Sequence, residues 1–204
     1  MPLRKQQIRG FGSILWTVPL TFFAFSCNLF ETRDPEPPSQ SATEFLPPTL
    51  PRDVITNLKS AIAQKSPENY VRSFADTSST GEEFRFIPSS TGNTSFPGVF
   101  IDWSRANEDA HFRDLLSHKL SQNSFSNLST VGDSYIPQGD STVYTATYTL
   151  TFDHNVPPFP YFARGRLQFM LKRDRNGFWV ITEWTDSQEI DTVITWTHFK
   201  GKFR

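Results

Sequence analysis

The stretch DSTVYTATYTLTFD, Asp140 to Asp153, decides the fold of this chain. Thr142, Tyr144, Ala146, Tyr148, Leu150 and Phe152 fall on one side of an extended backbone, and Val143, Thr145, Thr147, Thr149 and Thr151 on the other. A period of two, rich in β-branched and aromatic residues, predicts a long strand with one face on a core. Downstream, Val156 to Pro160 holds three prolines and predicts a long turn. ARGRLQFMLKR, residues 163–173, places Gly165, Leu167, Phe169 and Leu171 on one face of a second strand. Arg175-Asn176-Gly177 then predicts a hairpin turn, because Asn-Gly tolerates the positive φ that tight hairpins need. FWVITEWTD, residues 178–186, completes the pair.

Upstream the period changes to that of a helix. Val54, Ile55, Leu58, Ala61 and Ile62 predict an amphipathic helix over 53–65. Ser66-Pro67-Glu68 supplies a capping hydroxyl, a proline at the first helical position and an acid in the first turn. A second helix is therefore expected over 67–76, with Tyr70, Val71, Phe74 and Ala75 inward. EFRFIP, 83–88, alternates like a strand, and a Gly/Pro loop leads to Trp103. A third helix is expected over 106–120, with Phe112, Leu115, Leu116 and Leu120 inward. Helices followed by long antiparallel strands make the expected class α+β, with N-terminal helices packed on the sheet.

Gly177-x-Trp179-x-Ile181-x-x-Trp184 at the end of this element order resembles the nuclear-transport-factor-two-like superfamily, also called SnoaL-like, with its cystatin-like cone. The closing run Thr195-Trp196-Thr197-His198-Phe199-Lys200-Gly201 resembles the Trp-x-x-x-Lys tail of small secreted members. The likeness covers roughly residues 53–204. It implies a strongly curved sheet closed at one end by helices, and a homodimer through the sheet would be ordinary for it. It implies no single activity, since this fold hosts enzymes, binders and assembly modules alike.

The first residues read as an address. Arg4, Lys5 and Arg9 precede an uncharged, mostly apolar run of 15 residues, Phe11 to Phe25. That order of charge and apolar run is a secretory signal, too short for an ordinary membrane-spanning helix of about 20 residues. The single cysteine, Cys27, follows Ala24-Phe25-Ser26 and resembles the lipobox of bacterial lipoproteins. That resemblance implies an acylated Cys27 and a membrane partner, since more than one acyl chain gives stable anchoring. The same small residues also suit an ordinary signal peptidase, which would leave Cys27 a free thiol. The expected organisation is a signal over 1–26, a lipidated cysteine and tether over 27–52, and the cone domain over 53–204. Six prolines between Asn28 and Arg52 predict a semi-rigid spacer, with Phe45 and Leu46 as anchors of its last residues on the domain. The expected location is a bacterial cell envelope.

Composition narrows the function. The 204 residues carry 20 Lys+Arg and 21 Asp+Glu. Loss of three basic residues with the signal leaves 17 against 21, a net −4. Nucleic-acid binders instead show a basic stripe. One cysteine excludes an intrachain disulfide and a cysteine-cluster metal site. His111, Asp114 and His118 share a helix, but the two histidines lie about 10.5 Å apart along its axis, too far to share an ion. With Glu108, Asp109, Arg113 and Lys119 they read as a solvated face, and His198 as a surface histidine. No cofactor, metal or catalytic motif stands out.

Within a cone, Trp103, Tyr148, His154 and Trp184 are the candidates for a ligand pocket, with Tyr144 and Phe152 beside them. Two readings stay open: an apolar pocket with a few polar groups, or aromatics that simply fill the cone. The first candidate function is a non-catalytic binding module for a small apolar ligand or an envelope protein. The second is a small isomerase-, dehydratase- or hydrolase-like enzyme using His154 with Tyr148. The strand EFRFIP offers such an enzyme no acid or histidine in its interior.

Overall fold

The computed structural model describes residues 45–189 and 194–204. The expected signal, the acylated Cys27 and most of the tether lie outside them. Eleven elements are seen: α1 (Pro51–Ala63), α2 (Pro67–Val71), α3 (Thr77–Thr80), β1 (Arg85–Ile87), α4 (Ser90–Ser95), α5 (Arg105–Ser117), β2 (Ser126–Gln138), β3 (Ser141–Phe152), β4 (Phe162–Arg173), β5 (Trp179–Ser187) and α6 (Trp196–Lys202). The strands form one mixed sheet in the order β1-β5-β4-β3-β2. No described helix is long and apolar enough to cross a membrane.

The Asp140–Asp153 pattern becomes β3, and all six residues of its first face are buried. Register aligns this face across the sheet. Phe86 pairs with Trp184, Trp184 with Phe169, Phe169 with Tyr144, and Tyr144 with Tyr135. Successive ring centroids are 5.4, 5.2, 5.9 and 4.8 Å apart, so one row of aromatics spans all five strands. Each such contact adds about 0.5–1.5 kcal/mol beyond area burial. Helices α1 and α6 pack on this sheet, and α2 bridges α1 to α5.

Local signals explain the ends of the elements. Ser66 accepts from the Asn69 N–H at 3.3 Å and starts α2 behind Pro67. At the β4–β5 hairpin Gly177 has φ 83°, and Asp174 Oδ1 accepts from the Asn176 and Phe178 N–H groups, both at 2.9 Å. Phe45 to Leu50 already belong to the domain surface. The Leu46 backbone exchanges two hydrogen bonds with the Asn57 amide, and Pro48 C=O accepts from Trp179 N–H at 2.8 Å. The Arg72 guanidinium lies 3.9 Å from the Phe45 ring centroid.

Several expectations need correction. The sheet is not wholly antiparallel, because β1 joins its edge parallel to β5. α2 ends at Val71 rather than 76. Phe74 leaves the helix to make a parallel bridge with Ile181, and Ala75 N–H donates to Ile181 C=O. α5 ends at Ser117, and Leu120 is 55% exposed because the chain turns there to bridge Lys119 to His154. β2, α3, α4 and α6 were not expected as elements. β2 carries three serines, and its ladder shifts register between Val131 and Ser134, around Gly132 and Asp133, which breaks the alternation a strand pattern needs.

Candidate functional site

The space in front of the sheet, read from the sequence either as a pocket or as filled by aromatics, is occupied by α6. Its sequence, WTHFKGK, turns Trp196, Phe199 and Lys200 inward, and Phe203 follows them into the core. Two glycines let α6 sit close. A Cβ on Gly201 would meet the Phe96 ring at 2.3 Å, and one on Gly92 of α4 would meet Thr197 Cγ2 at 2.4 Å.

All four candidate pocket residues touch this helix. Lys200 Nζ lies 3.9 Å from the Trp184 ring centroid and 5.6 Å from that of Trp103. Tyr148 packs on Trp196 at 5.6 Å, and Trp196 meets Trp184 edge-on at 4.5 Å. His154 packs on Phe199 and Phe203 at 6.0 and 5.2 Å. Tyr148, His154 and Trp184 are buried with at most 1% exposure. His154 is also held on both ring nitrogens, Nε2 donating to Pro160 C=O at 2.9 Å and Nδ1 accepting from Val156 N–H at 3.2 Å. These three therefore stand as filled core.

Two polar clusters hold α6 in place. In the first, Lys200 donates to Glu108 Oε1 with neither side chain exposed. Glu108 also accepts from Trp103 Nε1–H at 2.7 Å and from the Tyr70 hydroxyl at 2.9 Å. Burial pushes the Lys200 ammonium down to about 8, against the opposing pull of Glu108. His111, one turn along α5, donates from Nδ1 to Phe203 C=O at 2.6 Å. Its Nε2 has no partner among the described residues. Burial, reinforced by the Lys200 charge, lowers this imidazole to about 3. The solvated face expected for Glu108 and His111 is thus a buried one, because α6 brings a cation to it. His198, expected at the surface, is also buried, with Nδ1 accepting from Thr195 N–H at 3.1 Å.

In the second cluster Asp186 accepts from the Tyr148 hydroxyl at 2.7 Å and, through Oδ2, from the Thr197 N–H and hydroxyl at 2.8 and 2.6 Å. The Tyr148 oxygen in turn accepts from Trp196 N–H at 2.6 Å. Burial raises the Asp186 carboxyl, partly offset by the Thr197 and Tyr148 bonds. Sequence reasoning missed Glu108, Asp186 and the role of Lys200. Glu108 does fall on the helical stripe 108, 111, 112, 115, and Trp196 and Lys200 share a face at four-residue spacing.

Open concavities lie on the outside. One of about 580 Å3 sits between the β2–β3 turn and the far ends of β4 and β5, lined by Asp140, Lys172, Arg173 and Trp179. Another, of about 370 Å3, runs beside β1 and is lined in part by Phe86, Phe100 and Trp103. Trp103 is the member of the four that reaches such a groove. Among the described residues no group of three or more His, Cys, Asp or Glu is placed to hold a metal ion.

No protein-family model matches this sequence, and no curated protein matches it. Solved structures do resemble it. A protein of Novosphingobium aromaticivorans, provisionally assigned as a scytalone dehydratase, aligns with a TM-score of 0.52 at 7% identity over 68% of this chain and 81% of that one. An NTF2-like family protein of Streptomyces avermitilis, provisionally assigned as a dehydratase, gives 0.51 at 9% identity over 67% and 91%. An NTF2-like superfamily protein of Salmonella enterica serovar Typhimurium gives 0.50 at 12% identity over 69% and 89%. At these identities the likeness is one of fold: a mixed α+β domain with a five-stranded sheet, like the NTF2-like proteins.

Proposed function

We propose that this chain is a membrane-anchored cell-envelope lipoprotein whose domain is a non-catalytic binding module, recognising its ligand or partner on the outside. The observation that carries the non-catalytic half is the occupied interior. The acids and bases found there, Glu108, Lys200, Asp186 and Tyr148, are bonded to one another or to backbone beneath α6. A general acid or base must reach a proton on substrate, and the His154–Tyr148 pair is committed elsewhere. Structural neighbours provisionally assigned as dehydratases keep the enzyme alternative in view, but fold does not carry activity. The anchoring half rests on the order of charge, apolar run and Cys27 in the sequence.

Two measurements test the halves separately. The wild-type chain should partition into detergent with an acylated N-terminus, and Cys27→Ser into water. A Cys27→Ser protein that remains acylated and detergent-soluble overturns the anchor. Native mass spectrometry of the chain from its own host should show excess mass, a ligand or a partner, that denaturation removes. A bare monomer in both soluble and detergent-extracted states overturns the binding module.

A further inference from the structure

One end of the sheet gathers exposed apolar side chains. Leu120, Phe125, Tyr161 and Phe162 are each between 47% and 57% exposed. Their backbones all meet the end of β3. Leu120 N–H donates to Asp153 C=O, Asp153 N–H to Phe125 C=O and Phe152 N–H to Tyr161 C=O, while Phe162 pairs with Thr151. Four large apolar residues held on the three positions Thr151 to Asp153 make a patch, where single exposed residues would need no explanation. Phe and Leu are the side chains that surface-bound proteins sink into lipid headgroups, and Tyr is enriched at that depth.

Cations stand around this patch. Lys119 precedes Leu120 and bridges to His154, and the Arg164 guanidinium lies 5.3 Å from the Phe162 ring centroid. Exposed Lys202 precedes Phe203, whose ring packs on His118 and His154 at 5.4 and 5.2 Å. None of the three cations is in an ion pair among the described residues. Of the acids at this end, Asp153 spends Oδ2 on the Phe125 N–H at 2.9 Å, and Asp114 lies 3.8 Å from His118 Nδ1. Further along β4, Arg166 and Glu189 are 3.9 Å apart and cancel. The end is thus locally positive in a chain of net charge −1.

Chain length allows this end to reach a bilayer. Pro48 is bonded to Trp179, so the first described residues leave from the opposite end of the sheet. The 17 residues from Asn28 to Glu44 can span up to about 60 Å. The 12 residues of β3 cover only about 41 Å.

We propose that this end of the domain docks on an anionic lipid surface, with Leu120, Phe125 and Phe162 entering the headgroup layer and Lys119, Arg164 and Lys202 meeting lipid phosphates. Apolar burial holds the patch to the layer, and each cation adds attraction that depends on anionic lipid. The proposal rests on the reading of the chain as membrane-anchored and names the surface that meets the membrane.

The test places the full chain in vesicles of phosphatidylcholine, alone or mixed with phosphatidylglycerol. An environment-sensitive dye is carried on Asn155→Cys, an exposed position at the patch, or on Asn176→Cys in the hairpin at the far end. With phosphatidylglycerol the dye at 155 should brighten and shift to the blue, and the dye at 176 should not. Phe125→Ser with Phe162→Ser should abolish the response at an unchanged melting temperature. Lys119→Gln with Arg164→Gln, which leaves the apolar surface intact, should lower the docked-to-free ratio more than tenfold, about fivefold per charge. Equal responses at the two ends, a response at 155 that survives loss of both phenylalanines, or none at 155 each overturn the proposal; the last is what a patch reserved for a protein partner would give. The wild-type chain takes up dye only if Cys27 is unacylated, so the same labelling judges the anchor separately.

Discussion

The Tyr148 hydroxyl on β3 lies 2.7 Å from the Asp186 carboxylate on β5, although β4 runs between those strands. The reach exists because the β4 residue paired with Tyr148 is Gly165. A Cβ there would meet the Tyr148 Cε1 and hydroxyl oxygen at 3.1 Å and the Ser187 carbonyl at 2.5 Å. Gly165→Ala should therefore cost about 1–3 kcal/mol through overpacking. Tyr148→Phe should cost about 2–3 kcal/mol, because it leaves the Trp196 N–H without its acceptor and Asp186 short of a donor. Urea titrations of both variants check this, and an unchanged midpoint for either contradicts the arrangement.

The Lys200–Glu108 pair predicts strong non-additivity. Removing either partner leaves an uncompensated buried charge, so Lys200→Met and Glu108→Gln should each lose about 3–5 kcal/mol. Combined, they should lose clearly less than the sum, since neither charge is then stranded. A double-mutant cycle by chemical denaturation measures the coupling; additive losses would mean the two groups do not meet.

His111 predicts acid sensitivity. Its folded value is about 3 against an ordinary 6.5, so between those limits the unfolded chain binds a proton that the folded chain excludes. Stability is therefore lost as pH falls through that window, by about 2 kcal/mol from this ring at pH 5. Asp186 works in the opposite sense, because its raised carboxyl takes up a proton before the unfolded one does. The comparison is therefore made against His111→Asn, whose amide can still donate to Phe203 C=O. The variant should lose less stability between pH 7 and pH 5 than the wild type; equal losses would contradict a buried neutral His111.

Much of the sheet was legible because its signals are local. The alternation of β3, the Asn-Gly turn and the Ser66-Pro67 start each depend on neighbours in sequence. The parallel seat of β1 on β5 was not legible, since Arg85 and Glu183 are 98 residues apart and only the fold joins them. The candidate site failed to read for a related reason. Trp103, Tyr148, His154 and Trp184 were grouped as candidates around one space, and what all four meet there is the tail of the same chain. Glu108 reads as solvent-facing until the cation that meets it, 92 residues later, is in place.

Helix α6 is a fixed part of the core rather than a lid over a pocket. Amide hydrogen exchange on the full chain tests it most directly. If α6 is core, the N–H groups of Phe199 to Phe203 should exchange as slowly as those of β3 and β4, through global unfolding alone. Fast exchange across α6 with β3 and β4 still protected would mean that the helix detaches on its own. That result would uncover the inner face of the sheet and contradict a fixed α6.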